Sequence, residues 1–210
     1  MNITVIGAGN MGAAFVKQLT RAGYHVSVTA RDPARAAQVA AAHPGAKAVP
    51  AAGAADGADV IVLATGYADA AAALRGAGKL DGKVVIDITN PLTADYMGLT
   101  IGHSTSAAEE IAKAVARAEV VKAFNTVFAQ VLAEGADFGN GRKVSVFVAG
   151  DSERAKQVVA TIAEDIGFAV VDAGGLKNAR YLEPLGALNI YLGYGAGLGT
   201  GIAPDWIRKA

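Results

Sequence analysis

The sequence predicts an α/β fold: a doubly wound, mostly parallel sheet with a C-terminal helical extension. Short runs rich in Val and Ile recur along the chain, and most are followed by a segment whose apolar residues fall at helical spacing. The runs are continuously apolar rather than alternating, as in strands covered on both faces. The first of them, Asn2 to Ile6, ends in Gly7-Ala8-Gly9-Asn10-Met11-Gly12, with Ala13-Ala14-Phe15-Val16-Lys17-Gln18-Leu19 directly behind it.

Strand, tight turn and helix in that order make the glycine spacing meaningful. Gly7 allows the turn, Gly9 lets a pyrophosphate approach the backbone, and Gly12 lets the helix pack closely on the strand. The phosphates would sit at the helix N-terminus, with Asn10 and Met11 beside them. Among 26 glycines in 210 residues the motif alone would be weak, but its context makes it a Rossmann-type dinucleotide site.

Behind the first helix, Ala22-Gly23 reads as a C-cap and His25 to Thr29 as the second strand. Asp32 caps and Pro33 opens a helix to about Ala42, which His43-Pro44-Gly45 ends. A short strand near Ala46 to Val49 and a half-turn of helix from Ala51 lead to the strand Asp59 to Leu63. A helix then runs from about Tyr67 to Arg75, and Val84 to Asp87 is the next strand. Ser106 and Glu109 form a capping box for a helix ending near Ala116, and Val120 to Ala123 is a strand. Val144 to Ala149, a helix begun at Asp151 or Ser152, and Ala169 to Asp172 extend the sheet. The last helix spans about Asn178 to Leu192, with a kink or restart at Pro184, whose ring removes one hydrogen bond. Tyr191, Tyr194, Leu198, Ile202 and Trp206 punctuate the glycine-rich stretch behind it, so this tail is expected to fold over its own chain or a partner subunit. Residues 1–175 thus read as the dinucleotide-binding domain and 176–210 as a C-terminal helix and tail.

With 52% hydrophobic and 18% charged residues the chain has the composition of a folded protein. Nineteen basic and nineteen acidic residues cancel, leaving no electrostatic footprint for nucleic acid or an anionic membrane. There is no cysteine, and the N-terminus reads as a strand rather than a leader. A cytoplasmic location and a small-molecule partner are expected. His25, His43 and His103 stand apart in the sequence, so no metal site is expected.

An acidic residue about twenty positions past the glycines would bind the ribose of NAD, and an arginine there suits NADP. The second strand ends in Thr29-Ala30-Arg31, and Arg35 follows one helical turn later, so NADP is preferred. Asp32 is the counter-argument, better employed as a helix cap. Ligands in such sheets lie beyond the carboxyl ends of the strands, here Ala64-Thr65-Gly66-Tyr67, Thr89-Asn90-Pro91 and Phe124-Asn125-Thr126. Thr65, Asn90 and Asn125 offer neutral hydrogen bonds, and Tyr67 and Phe124 offer apolar walls for a flat ring. No Tyr-x-x-x-Lys pair occurs, and Lys177 with Asn189 only imitates the lysine and asparagine of hydroxyacid dehydrogenases. Cofactor handles without an evident proton-transfer residue suit hydride exchange between two ring systems. The alternatives are a reductase of small carbonyls or imines and a non-catalytic dinucleotide sensor.

The chain resembles the NADP oxidoreductases that use a deazaflavin, coenzyme F-420. The likeness runs through Gly7 to Gly12, the Arg31 region, Asp87-Ile88-Thr89-Asn90-Pro91, Val121 to Thr126 and Asp172 to Arg180. The resemblance implies that Gly9 to Gly12 hold the pyrophosphate and that Arg31 and Arg35 hold the NADP phosphate. It also implies that Ala64 to Tyr67, Asn90, Pro91 and Ala123 line the nicotinamide half, with a deazaflavin or flavin as acceptor near Phe124, Asn125 and Thr126. It further implies a homodimer. Two positions depart from the family pattern: Ala30 replaces a serine that often helps bind the phosphate, and Asn125 replaces the histidine of archaeal members.

Overall fold

The computed structural model describes residues 1–139, 141–206 and 209. Eight strands form one sheet in the order β3-β2-β1-β4-β5-β6-β7-β8. They are β1 Asn2–Ile6, β2 His25–Thr29, β3 Ala46–Ala48, β4 Val60–Leu63, β5 Val84–Asp87, β6 Glu119–Lys122, β7 Ser145–Gly150 and β8 Ala169–Asp172. All neighbouring pairs are parallel except β6 with β7. The helices are α1 Asn10–Arg21, α2 Pro33–Ala42, α3 Tyr67–Gly76, α4 Ala107–Ala114, α5 Ala129–Glu134, α6 Glu153–Asp165 and α7 Ala179–Ile190.

The apolar runs became strands because both faces of the sheet are covered. Val60, Ile61, Val62 and Leu63 of β4 are all buried, and each such side chain contributes about 1.5–3 kcal/mol relative to exposure. One core joins β1 and β2 to Phe15, Val16 and Leu19 of α1, and another joins Ile61 and Leu63 to Leu74 of α3 and Ile111 of α4. Caps set several boundaries: Asp32 accepts from Ala34 N at 2.9 Å, and Ser106 and Ser152 accept from the third residue beyond each.

The structure corrects the sequence reading at four places. Residues 51–57 form turns, not a half-turn of helix. Helix α5 escaped the reading because six residues with no side-chain cap leave almost no periodic signal. At about 9 Å it is too short to carry the chain back along the sheet, so β7 runs antiparallel to β6. Helix α7 follows a 3-10 turn at Leu176–Asn178 and passes through Pro184 without restarting. It ends in a π-helical turn, Tyr191–Gly195, and the tail folds back on its own chain: Leu198 and Gly199 N–H groups donate to Leu192 and Gly193, and Ile202 packs on the main core. Trp206 meets Phe147 edge-on at 5.1 Å.

Candidate active site

The glycine turn is closed on one side and open on the other. Gly7 has φ 120°, and a Cβ there would lie 2.2 Å from the Ala64 carbonyl oxygen; one at Gly12 would lie 1.8 Å from the Gly7 carbonyl oxygen. Neither position admits a side chain. Gly9, by contrast, has nothing within 4 Å of where its Cβ would stand, and it caps α1 without any side-chain bond. The turn is thus open on the Gly9 side at the N-terminus of α1, where a phosphate would sit. Arg35 Nε donates to the Ala8 carbonyl at 3.2 Å, which stands its guanidinium over the turn. Arg31 reaches from the end of β2 to Asp69 in the first turn of α3, Nη1 to Oδ2 3.3 Å, across the line of β1. Asp32 is engaged as the α2 cap.

Beside this turn lies a cleft of about 570 Å³ between α1, the carboxyl ends of β5 and β6, and α7. Asn10 and Met11 form one wall, Ile88 and Asn90 follow β5, Phe124 to Phe128 follow β6, and Gly186, Asn189 and Ile190 come from α7. Asn90 and Asn125 lock each other: Asn90 Nδ2 donates to the Asn125 carbonyl at 2.8 Å, and Asn125 Nδ2 donates to Asn90 Oδ1 at 3.0 Å and to the Leu182 carbonyl at 2.7 Å. Gly186 makes room for them, since a Cβ there would lie 2.8 Å from both the Asn125 carbonyl oxygen and Asn90 Oδ1. Phe124 holds φ 59°, a left-handed conformation that costs on the order of 1–3 kcal/mol. Its buried ring is clamped edge-on by Phe15 at 5.0 Å and Phe168 at 5.7 Å, so the core enforces the turn that delivers Asn125 and Thr126. Asn125 Oδ1 and Thr126 Oγ1 are buried without a partner, as are the hydroxyls of Thr29, Thr65 and Thr89.

The mouth of the cleft is built from two segments far apart in sequence. A strap closed by a Leu92–Leu99 bridge presents Asp95, Tyr96 and Met97. The Thr93 hydroxyl and the Met97 N–H hold the Asp95 carboxyl below the usual carboxylate range. Opposite stands Tyr194 of the π-helical turn, its ring edge-on to Phe128 at 5.7 Å. The two rims meet, for a Cβ on Gly195 would lie 3.4 Å from Met97 Sδ.

Behind the cleft wall lies a charged cluster with no solvent exposure. Lys122 Nζ is 2.7 Å from Asp87 Oδ2 and 2.9 Å from Glu183 Oε1, and it donates to the Thr89 carbonyl at 2.6 Å. Glu183 accepts from the Ala107 and Ala108 N–H groups at 2.8 and 3.1 Å, and Asp87 Oδ1 from Thr89 N at 2.8 Å. The cluster thereby joins β5, β6, α4 and α7.

A profile of the family described as NADP oxidoreductase coenzyme F420-dependent matches residues 2–91. The F420-dependent NADP reductase of Methanothermobacter thermautotrophicus is 30% identical over 214 residues, covering 91% of this chain and 89% of that one. The chain belongs to the F420-dependent NADP oxidoreductase family. It is an NADP-dependent oxidoreductase with a Rossmann-type fold. A crystal structure from Arthrobacter sp. FB24, provisionally described as an F420-dependent NADP reductase, superposes with a TM-score of 0.87 at 31% identity, covering 98% and 99% of the two chains. The metalloreductase STEAP3 of Rattus norvegicus is 29% identical over 183 residues, but the chain spans only 36% of that protein's length. An imine reductase from Pseudomonas sp., at 20% identity and TM-score 0.64, shares the fold. No helix among the described residues is long and apolar enough to cross a membrane.

The structure brings Asn10, Met11, Asn90, Phe124, Asn125 and Thr126 together in the cleft, and Gly7, Gly9, Gly12, Arg31 and Arg35 around the turn beside it. Ala64, Thr65, Gly66 and Tyr67 stand at the end of β4 and the start of α3, outside the cleft lining. Pro91 and Ala123 are buried, and Pro91 instead anchors the strap by accepting from Thr100. The Phe124 ring is part of the core rather than a ring-facing wall. Lys177 is exposed and lies away from the cleft, whereas Asn189 is buried in its lining. The strap, Gly186 and the charged cluster went unread. Asp87 and Lys122 closing otherwise apolar strands were the available signal.

Proposed function

We propose that the protein transfers a hydride between NADP(H) and a flat ring acceptor, a deazaflavin or a flavin. In this reading Gly7, Gly9, Asn10, Met11 and Gly12 cradle the pyrophosphate and Arg31 with Arg35 takes the extra phosphate. Asn90 faces the nicotinamide half with Ala64 to Tyr67 at its edge, Pro91 and Ala123 back it from within the core, and the Phe124 to Thr126 turn borders the acceptor. NADPH supplies the hydride; the chain supplies orientation and exclusion of water. Residues 1–175 carry the nucleotide, residues 176–210 finish the acceptor wall, and the functional unit is a homodimer.

The composition of the cleft carries this reading. Apart from one carboxylate its lining is amide, hydroxyl and apolar, without lysine, arginine or histidine among the described residues. Its one carboxylate, Asp95, is held in the charged form, and Tyr96 and Tyr194 stand at the rim without a basic residue to activate them. Reduction of a carbonyl or imine calls for a positioned acid. Exchange between ring systems does not, and the unpartnered Asn125 Oδ1 and Thr126 Oγ1 suit a polar ring edge.

NADPH oxidation followed against a deazaflavin, a flavin and a panel of small carbonyls and imines tests the proposal. Turnover with a ring acceptor is expected, together with weaker NADPH binding and unchanged NADH binding in Arg31→Ala. Turnover only with carbonyls or imines, or nucleotide binding without any turnover, overturns it.

A further inference from the structure

The Asp87, Lys122 and Glu183 side chains are 0%, 0% and 1% exposed. Backbone N–H groups donate to Asp87 Oδ1 and to both oxygens of Glu183, and Asp87 Oδ2 faces the Lys122 ammonium at 2.7 Å with no other partner among the described residues. Two anions on one cation leave a negative charge in excess. The partial positive charge at the N-terminus of α4, whose first N–H groups donate to Glu183, faces it. An apolar trio would fill this space without the desolvation penalty, so stability alone is a poor reason for the arrangement.

Tyr67, at the start of α3, has its phenol pushed above the ordinary value, first by burial and then by Glu110, Glu183 and Asp87, with Lys122 acting in the opposite direction. Thr89, bonded to the cluster through both its N–H and its carbonyl, immediately precedes Asn90. Tyr67 and Asn90 flank the nicotinamide half in the reading above, on which this inference rests.

We propose that the Asp87–Lys122–Glu183 cluster is a fixed excess of negative charge that favours the cationic, oxidised nicotinamide ring and thereby promotes hydride donation. In that step the C4–H bond of NADPH breaks and its electron pair leaves with the hydrogen to form a new bond on the acceptor ring. The nicotinamide is left with a positive charge, and a proton from solvent neutralises the reduced acceptor. A charge already in place stabilises the developing cation without reorganisation. Lys122 moderates the field and fixes its source.

NADPH and NADP+ share the same phosphates and ribose, so their ratio of dissociation constants isolates the ring charge from damage to packing. Glu183→Gln and Asp87→Asn each remove one negative charge with little change of shape. Both are expected to weaken NADP+ by about fivefold or more relative to NADPH, the order of one fixed charge acting on another through protein. Equal weakening of the two nucleotides, or none, makes the cluster merely structural and overturns the proposal. The unmodified protein tests it independently of whether either variant folds: binding NADPH more than about tenfold more tightly than NADP+ contradicts a field that favours the cation. Asn90→Ala separates the premises. Loss of affinity for both nucleotides there, with an unchanged ratio in the charge variants, leaves the cleft reading standing and removes this proposal, whereas no loss in Asn90→Ala removes both.

Discussion

Gly186 shows how closely single atoms are specified around the cleft. A methyl group there would stand 2.8 Å from the Asn125 carbonyl oxygen and from Asn90 Oδ1, and the first of these is backbone that cannot swing aside. Gly186→Ala therefore has to separate α7 from the Asn90–Asn125 pair, with an overpacking cost of about 1–3 kcal/mol. Gly201 has nothing within 4 Å of its would-be Cβ, so Gly201→Ala is the control. Thermal melts and NADPH titrations of the two variants should show a lower Tm and weaker binding for the first and neither for the second. Equal behaviour would mean that α7 yields without disturbing the asparagines.

The junction between α4 and α7 depends on a charged pair as well as on the buried cluster. Arg180 grips Glu109 with two bonds, Nε at 2.8 Å and Nη2 at 2.7 Å, while Ser106 caps the helix and donates to the same carboxylate at 2.8 Å. The Arg180 guanidinium first, and the Ser106 hydroxyl after it, hold the Glu109 carboxyl below its ordinary 4.5. A carboxylate with a depressed folded-state pKa contributes stability that is complete above the unfolded value and is lost as pH falls through the folded one. Arg180→Met should therefore cost on the order of 1 kcal/mol in urea unfolding at pH 7 and next to nothing once the pH is well below that range. A loss of the same size at both pH values would assign the effect to the arginine stem instead.

At the scale of the whole molecule, apolar surface remains after the sheet has been covered. Tyr181, Leu188, Tyr191 and Trp206 are at least half exposed along α7 and the tail. Beside β7 and β8, Phe147, Val171, Leu182 and Leu185 line an apolar groove of about 440 Å³. The tail wraps its own chain as far as Ile202 and Trp206, and surface of this kind usually marks an interface. A second copy is the occupant in the proposed homodimer. Light scattering at micromolar concentration should give twice the monomer mass, and a chain ending at Leu192 should lose part of that association. A monomeric full chain rejects the dimer, and a truncated chain that stays dimeric takes the tail out of the interface.

The sequence by itself determined the order of the strands and of every helix but α5, the covered and mostly parallel sheet and the glycine turn, because each is written in residues close together in the chain. Continuous valine and isoleucine runs, Asp32 before Pro33, and three glycines at fixed spacing need no distant partner to be read. Only the tertiary structure decided the reversal of β7, which follows from a helix of six residues too short to span the sheet. It also decided the cleft and the charged cluster behind it. Gly186 matters through Asn90 and Asn125, Phe124 is bent by Phe15 and Phe168, and Lys122 finds Asp87 well before it and Glu183 well after it in the chain. Such pairings are made by packing, and no local pattern encodes them.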